Sequence, residues 1–171
     1  MGNHADYSNF DSNINKESAL QSLLDSYDAL ASSQTNWVAN LANCSSLLYF
    51  CYKDAGVNWA GFYVCDPEID DCLILGPFMG KVACQSIKIG SGVCGTAATT
   101  MKTQLVPNVN EFPGHIACDG DTKSEIVIPI IQNGILRGVM DLDCLNFDGF
   151  DETDKKYLEE LATKIASTCK F

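Results

Sequence analysis

Apolar residues recur along this chain with two distinct periods. Leu20, Leu23, Leu24, Tyr27 and Ala31 fall at helical spacing, the stripe of an amphipathic helix that lays one face on a core. Asn15 or Lys16 opens that helix. A second helix over about 36–53 buries Leu41, Cys44, Leu48 and Cys51. From Val57 to Cys65 and from Cys72 to Phe78 the sequence turns continuously apolar and aromatic. These runs read as two antiparallel strands joined by the turn-rich DPEIDD, with Cys65 and Cys72 placed to face each other. Further on, IVIPII and ILRGVMDLDC flank Gln132-Asn133-Gly134, a strong hairpin signal. A last amphipathic helix runs from Asp151 as N-cap through Tyr157, Leu158, Leu161, Ala162 and Ile165.

From Gly80 to about Asp121 the pattern breaks up. Glycines, prolines and short polar pieces surround one predicted helix near 93–101, and long irregular segments inside compact domains tend to be functional. The order of elements predicts an α+β domain over residues 16–171. A central antiparallel sheet carries the N- and C-terminal helices on one face and the loop-rich insert on the other. Residues 1–15 are polar and form an N-terminal arm outside that domain.

Composition narrows the function. The chain has 171 residues, a net charge of −11 and only 11 basic residues. None of these cluster as a phosphate-binding patch, so nucleic acid and anionic membrane are excluded as partners. No apolar run approaches the roughly 20 residues of a membrane span, and the first residues lack a secretory layout. Nine cysteines, odd in number and scattered, do not resemble a disulfide scaffold. They point to a reducing compartment, where a disulfide is transient and catalytic rather than structural.

Three of these cysteines, Cys84, Cys94 and Cys118, lie in the irregular segment. Cys118 follows His115 by three residues among glycines and acids, a setting in which an imidazolium favours the thiolate. The opposing reading is a set of inert buried thiols. Three thiols together permit one to attack and become a sulfenic acid, and another to capture it as a disulfide. The competing reading is a metal site of His115, Cys118, Cys84 and Cys94. It lacks the paired Cys-x-x-Cys spacing of structural zinc, so no metal is expected.

A second constellation is acidic. Asp141 and Asp143 project to one face of a strand, about 6 to 7 Å apart, while Met140, Leu142 and Cys144 project to the other. Glu125 on the partner strand joins them only in one register. A two-residue Asn133-Gly134 turn sets Ile126 opposite Asp141, whereas a three-residue loop with a bulged glycine pairs Glu125 with Asp141. Gathered acids keep a proton near neutral pH and can donate it; dispersed acids are merely solvated. Trp59, Gly61 and Tyr63 share one face of the first strand and Ala60 and Phe62 the other, so one aromatic set packs a core and the other can line a cavity.

Taken in order, NWAGFY, LILGPFMGKVACQ, GVCGTAA, VPNVNEFPGHIACD, KSEIVIPI and GVMDLDC closely resemble the free methionine-R-sulfoxide reductases. The resemblance runs from about Asn36 to the end and implies a GAF-like fold. It also implies Cys118 as nucleophile, Cys84 as resolving thiol and Cys94 as a helper in recycling, with the order of Cys84 and Cys94 left open. Glu125, Asp141 and Asp143 would form an acidic pocket, Glu125 or Asp143 supplying the proton and the others pairing the substrate ammonium. Trp59 and Tyr63 would be its walls, and backbone amides of the 80–120 segment would take the carboxylate.

The activity implied is reduction of free L-methionine-(R)-sulfoxide to methionine, repairing the free methionine pool after oxidative stress. No bound cofactor is expected. The expected electron donor is thioredoxin with NADPH. A homodimer and a cytoplasmic setting that admits nuclear presence are also expected. The alternative from another class is a GAF-type redox or small-molecule sensor using the same cavity.

Overall fold

The computed structural model describes residues 15–114 and 119–171. Cys118, His115 and the arm before Asn15 lie outside the described residues. The elements follow the sequence periodicities closely: α1 (Lys16–Ala31), α2 (Trp37–Tyr52), β1 (Val57–Cys65), β2 (Cys72–Gly80), β3 (Ser86–Lys88), α3 (Gly92–Thr100), β4 (Gln104–Val106), β5 (Ser124–Gln132), β6 (Ile135–Cys144) and α4 (Glu152–Thr168). Asn15 caps α1 through a bond from the Ser18 amide, and Asn36 caps α2. Asp151 and Asp154 form a reciprocal capping box at α4, satisfying amide groups that have no partner within a helix.

The six strands make one antiparallel sheet in the order β3-β2-β1-β6-β5-β4. Two apolar clusters cover its faces. Ala60, Phe62, Met140, Leu142 and Cys144 point to the face covered by α1, α2 and α4. Trp59, Tyr63, Val127 and Val139 point to the other, under α3 and the 81–91 segment. Period-2 alternation therefore sorts each strand into a packed side and a side that can hold a site. Cys65 and Cys72 do not face each other: Cys65 lies opposite Leu73 and Cys72 opposite Lys88, and both thiols are free.

The hairpin of β5 and β6 departs from both registers considered for it. Asn133 and Gly134 form a two-residue turn, each with positive φ, and Gln132 lies opposite Ile135. One residue further in, a β-bulge intervenes. Ile131 pairs with Leu136 but Ile130 with Gly138, so Arg137 is the extra residue. Beyond the bulge Glu125 lies opposite Asp143 and Val127 opposite Asp141. The acids thus reach one face through a bulge, not through a longer turn. Gly138 allows it, because a Cβ there would sit 2.3 Å from the Tyr63 carbonyl oxygen and 2.9 Å from Val64 Cα. Both are backbone atoms of a central strand and cannot give way.

Gly138→Ala should therefore destabilise the fold by about 2–3 kcal/mol. In a domain of this size that lowers Tm by roughly 5–10 °C in a calorimetric scan. An unchanged Tm would mean that the bulge relaxes at no cost.

Candidate active site

Cross-strand register builds the floor of a cavity. Trp59 of β1 lies opposite Asp143 of β6, and Asp143 lies opposite Glu125 of β5. One step along, Gly61 lies opposite Asp141. A Cβ on Gly61 would meet Phe78 Cβ at 2.3 Å and the Trp59 ring at 2.8 Å, so a glycine is needed for the aromatic wall to close. That wall is a stacked set. The Trp59 ring lies 5.3 Å from Phe78 at 15° and 5.9 Å from Tyr63 at 22°.

The cavity measures about 170 Å³ and is lined by Trp59, Tyr63, Cys84, Cys94, Glu125, Asp141 and Asp143, among others. All the described residues expected to bind or catalyse, Cys84, Cys94, Glu125, Asp141, Asp143, Trp59 and Tyr63, therefore meet in one place. Cys84 sits on the segment between β2 and β3, where the Tyr63 hydroxyl donates to its backbone carbonyl at 3.0 Å. It is disulfide-bonded, whereas Cys44, Cys51, Cys65, Cys72, Cys94, Cys144 and Cys169 carry free thiols. In that oxidised state Cys84 cannot serve the zinc reading. Of the other ligands of that reading, Cys94 lines the cavity as a free thiol, and His115 and Cys118 lie outside the described residues.

Electrostatics separates the acids. Burial, with the charges of Asp141 and Asp143 beside it, raises the Glu125 carboxyl well above the ordinary carboxylate range. Asp143 is raised by burial and by the charges of Asp141 and Asp119. Asp141 is lifted by burial to about 7, held from rising further by hydrogen bonds from Cys94 and Glu125. The cluster thus offers carboxyls that keep a proton near neutral pH beside one that gives its proton up most readily. Burial also pushes the Cys94 thiol well up, as do the neighbouring carboxylates. A thiol held neutral is a poor first nucleophile.

Some lining residues were invisible in the sequence. Lys81 and Asp119 line the cavity; Lys81 bridges to Asp119 at 3.3 Å and to Asp121 at 3.0 Å, and Asn58 donates to Asp119. Lys81 stands in LILGPFMGKVACQ without a role assigned to it, and Asp119 directly follows Cys118 in GHIACD. Trp59 Nε1, Thr122 Oγ1 and Asp141 Oδ1 are buried without a hydrogen-bond partner, and all three residues line the cavity. Buried polar atoms are normally satisfied, so these mark where a polar ligand would sit. At one side the N-terminus of α3 opens on the cavity with no side-chain cap, a natural seat for an anionic group.

A helix-covered six-stranded antiparallel sheet is consistent with a GAF domain, and residues 51–168 match the GAF domain family. The chain is 58% identical over 171 residues to the free methionine-R-sulfoxide reductase of Saccharomyces cerevisiae, covering 98% of this chain and 95% of that one. It is 41% identical to the Escherichia coli free methionine-R-sulfoxide reductase, covering 89% of each chain. Its fold superposes with a TM-score of 0.86 on the Neisseria meningitidis free methionine-R-sulfoxide reductase solved with its substrate, at 38% identity over 92% of both chains. The chain belongs to the free methionine-R-sulfoxide reductase family and is an oxidoreductase.

Proposed function

We propose that this enzyme reduces free L-methionine-(R)-sulfoxide to methionine, with Cys118 as the attacking sulfur and Cys84 as the thiol that resolves it. The observation that carries the reading is the meeting of Glu125, Asp141 and Asp143 under the Trp59 and Tyr63 wall, beside a Cys84 already in a disulfide. A thiolate attacks the sulfoxide sulfur while Glu125 or Asp143, still protonated, donates to the oxygen as charge builds on it. The oxygen then passes from the substrate sulfur to the Cys118 sulfur as the bond between the two sulfurs breaks, so methionine leaves as a thioether and Cys118 is left as a sulfenic acid. The Cys84 thiol then condenses with it to a disulfide, releasing water. A thioredoxin dithiol, itself reduced by NADPH, returns both cysteines to thiols by exchange, with Cys94 assisting at that stage.

Substrate choice follows from charge. Ionised Asp141, with an unpartnered oxygen, suits the ammonium of a free amino acid, and the uncapped start of α3 suits its carboxylate. A methionine sulfoxide within a peptide offers neither charge. The chemistry draws only on thiols and carboxyls, so the reading includes no bound cofactor. The free thiols of the described residues suit a reducing, cytoplasmic setting, and a homodimer is part of the same reading. Among the described residues no helix is long and apolar enough to cross a membrane.

Thioredoxin-coupled NADPH oxidation tests it with three substrates: the free R epimer, the free S epimer and a peptide-bound sulfoxide. Turnover is expected on the free R form, falling by at least about 100-fold on the other two, because each loses a charge-assisted contact or the attack geometry. Turnover on none of them, with binding retained, would favour the ligand-sensing alternative.

A further inference from the structure

Cys94 of α3, Glu125 of β5 and Asp141 of β6 bring three ligand atoms, one sulfur and two oxygens, within 4.8 Å of one another. All three residues are buried, and they stand on regular elements rather than loops. Asp141 is only 6% exposed and lines the cavity, yet its Oδ1 has no hydrogen-bond partner. We infer that Cys94, Glu125 and Asp141 form a binding site for one thiophilic divalent cation of the zinc class.

Geometry and donor type both fit. A tetrahedral cation with bonds of about 2.0–2.3 Å holds its ligand atoms roughly 3.3–3.7 Å apart, so side-chain rotations of about 1 Å or less complete the site. A thiolate with two carboxylates favours zinc, cadmium or cobalt over magnesium or calcium, which take oxygen ligands alone. All three residues line the cavity, which leaves room for water as a fourth ligand, the layout of a non-structural centre. Binding displaces protons from the thiol and carboxyls to solvent. Occupancy would close the pocket to an ammonium-bearing ligand, since both need the same Asp141 oxygen. The site holds whether or not the reaction proposed above is correct.

The test is a cobalt(II) chloride titration of the full chain with Cys84 left in its disulfide, so that Cys84 cannot contribute a thiolate. The expected result is one equivalent of cobalt bound with a near-ultraviolet thiolate-to-cobalt charge-transfer band, bleached by zinc chloride. Cys94→Ser should abolish the band, and the isosteric Asp141→Asn should weaken binding at least tenfold. No band with excess cobalt, a band that persists in Cys94→Ser, or unchanged affinity in Asp141→Asn would each overturn the site. Asp141→Asn decides the matter should Cys94→Ser fail to fold.

Discussion

Cys118→Ser is expected to abolish methionine formation, with kcat/KM falling on the order of 10⁴-fold or more, while Cys84→Ser still releases one methionine per chain in a burst. The two variants separate because they remove different steps. A serine hydroxyl stays protonated near neutral pH and does not attack sulfur, so without Cys118 nothing reacts. Without Cys84 the first step is intact, but the sulfenic acid has lost its proposed resolving thiol and waits for another.

Rapid-quench measurement of methionine under single-turnover conditions distinguishes them, and a dimedone adduct on Cys118 should accumulate in Cys84→Ser alone. Cys94→Ser should keep the burst and slow only thioredoxin-supported cycling, since its thiol is buried and held neutral. A full burst in Cys118→Ser would move the nucleophile to another residue. Disappearance of the burst in Cys94→Ser would make that buried thiol part of the first step.

The proposed roles rest on short motifs that are legible in the sequence, while the way the acids come together is much less so. Alternation along NWAGFY and VMDLDC placed Trp59 and Tyr63, and Asp141 and Asp143, on one face without any structure. The helices were as clear, each having both an apolar stripe and a capping side chain at Asn15, Asn36 or Asp151. What the pattern could not carry was register. Asn133-Gly134 correctly announces a tight turn, yet the shift that brings Glu125 opposite Asp143 comes from the extra residue Arg137 beside Gly138. A bulge has no propensity signature of its own. It follows from the close approach of Gly138 to the Tyr63 carbonyl, a contact between residues far apart in the chain. The same holds for Cys65 and Cys72, whose offset by one position is set by pairing along the whole of β1 and β2. Lys81 carries no local signal for a like reason: its partners Asp119 and Asp121 are about 40 residues away and meet it only in the folded chain.

Glu125→Gln is expected to lower kcat/KM by about 10²–10³-fold while making the protein more stable at neutral pH. The loss follows from removing an acid that gives a proton or a short hydrogen bond to the sulfoxide oxygen. The gain follows from linkage. Glu125 has a folded-state carboxyl raised above its unfolded value, so between the two values the native chain holds a proton the unfolded chain has lost. Stability therefore falls as pH climbs through that window, starting near the ordinary carboxylate value of 4.5. Glutamine keeps the shape and removes that loss, so the variant should match the natural protein near pH 4 and exceed it at pH 7–8.

A gain of about 1 kcal/mol corresponds to roughly 2–4 °C in Tm for a domain of this size. Paired thermal melts at pH 4.5 and 7.5 read it directly. The pH profile of kcat/KM supplies the catalytic half. Its acid limb should reflect ionisation of Asp141, raised to about 7, and its alkaline limb the loss of the proton donor. If Glu125→Gln raises Tm but leaves kcat/KM within threefold of the natural enzyme, while Asp143→Asn removes the activity, the proton comes from Asp143. Glu125 would then act only to hold Asp141 in place through their shared hydrogen bond.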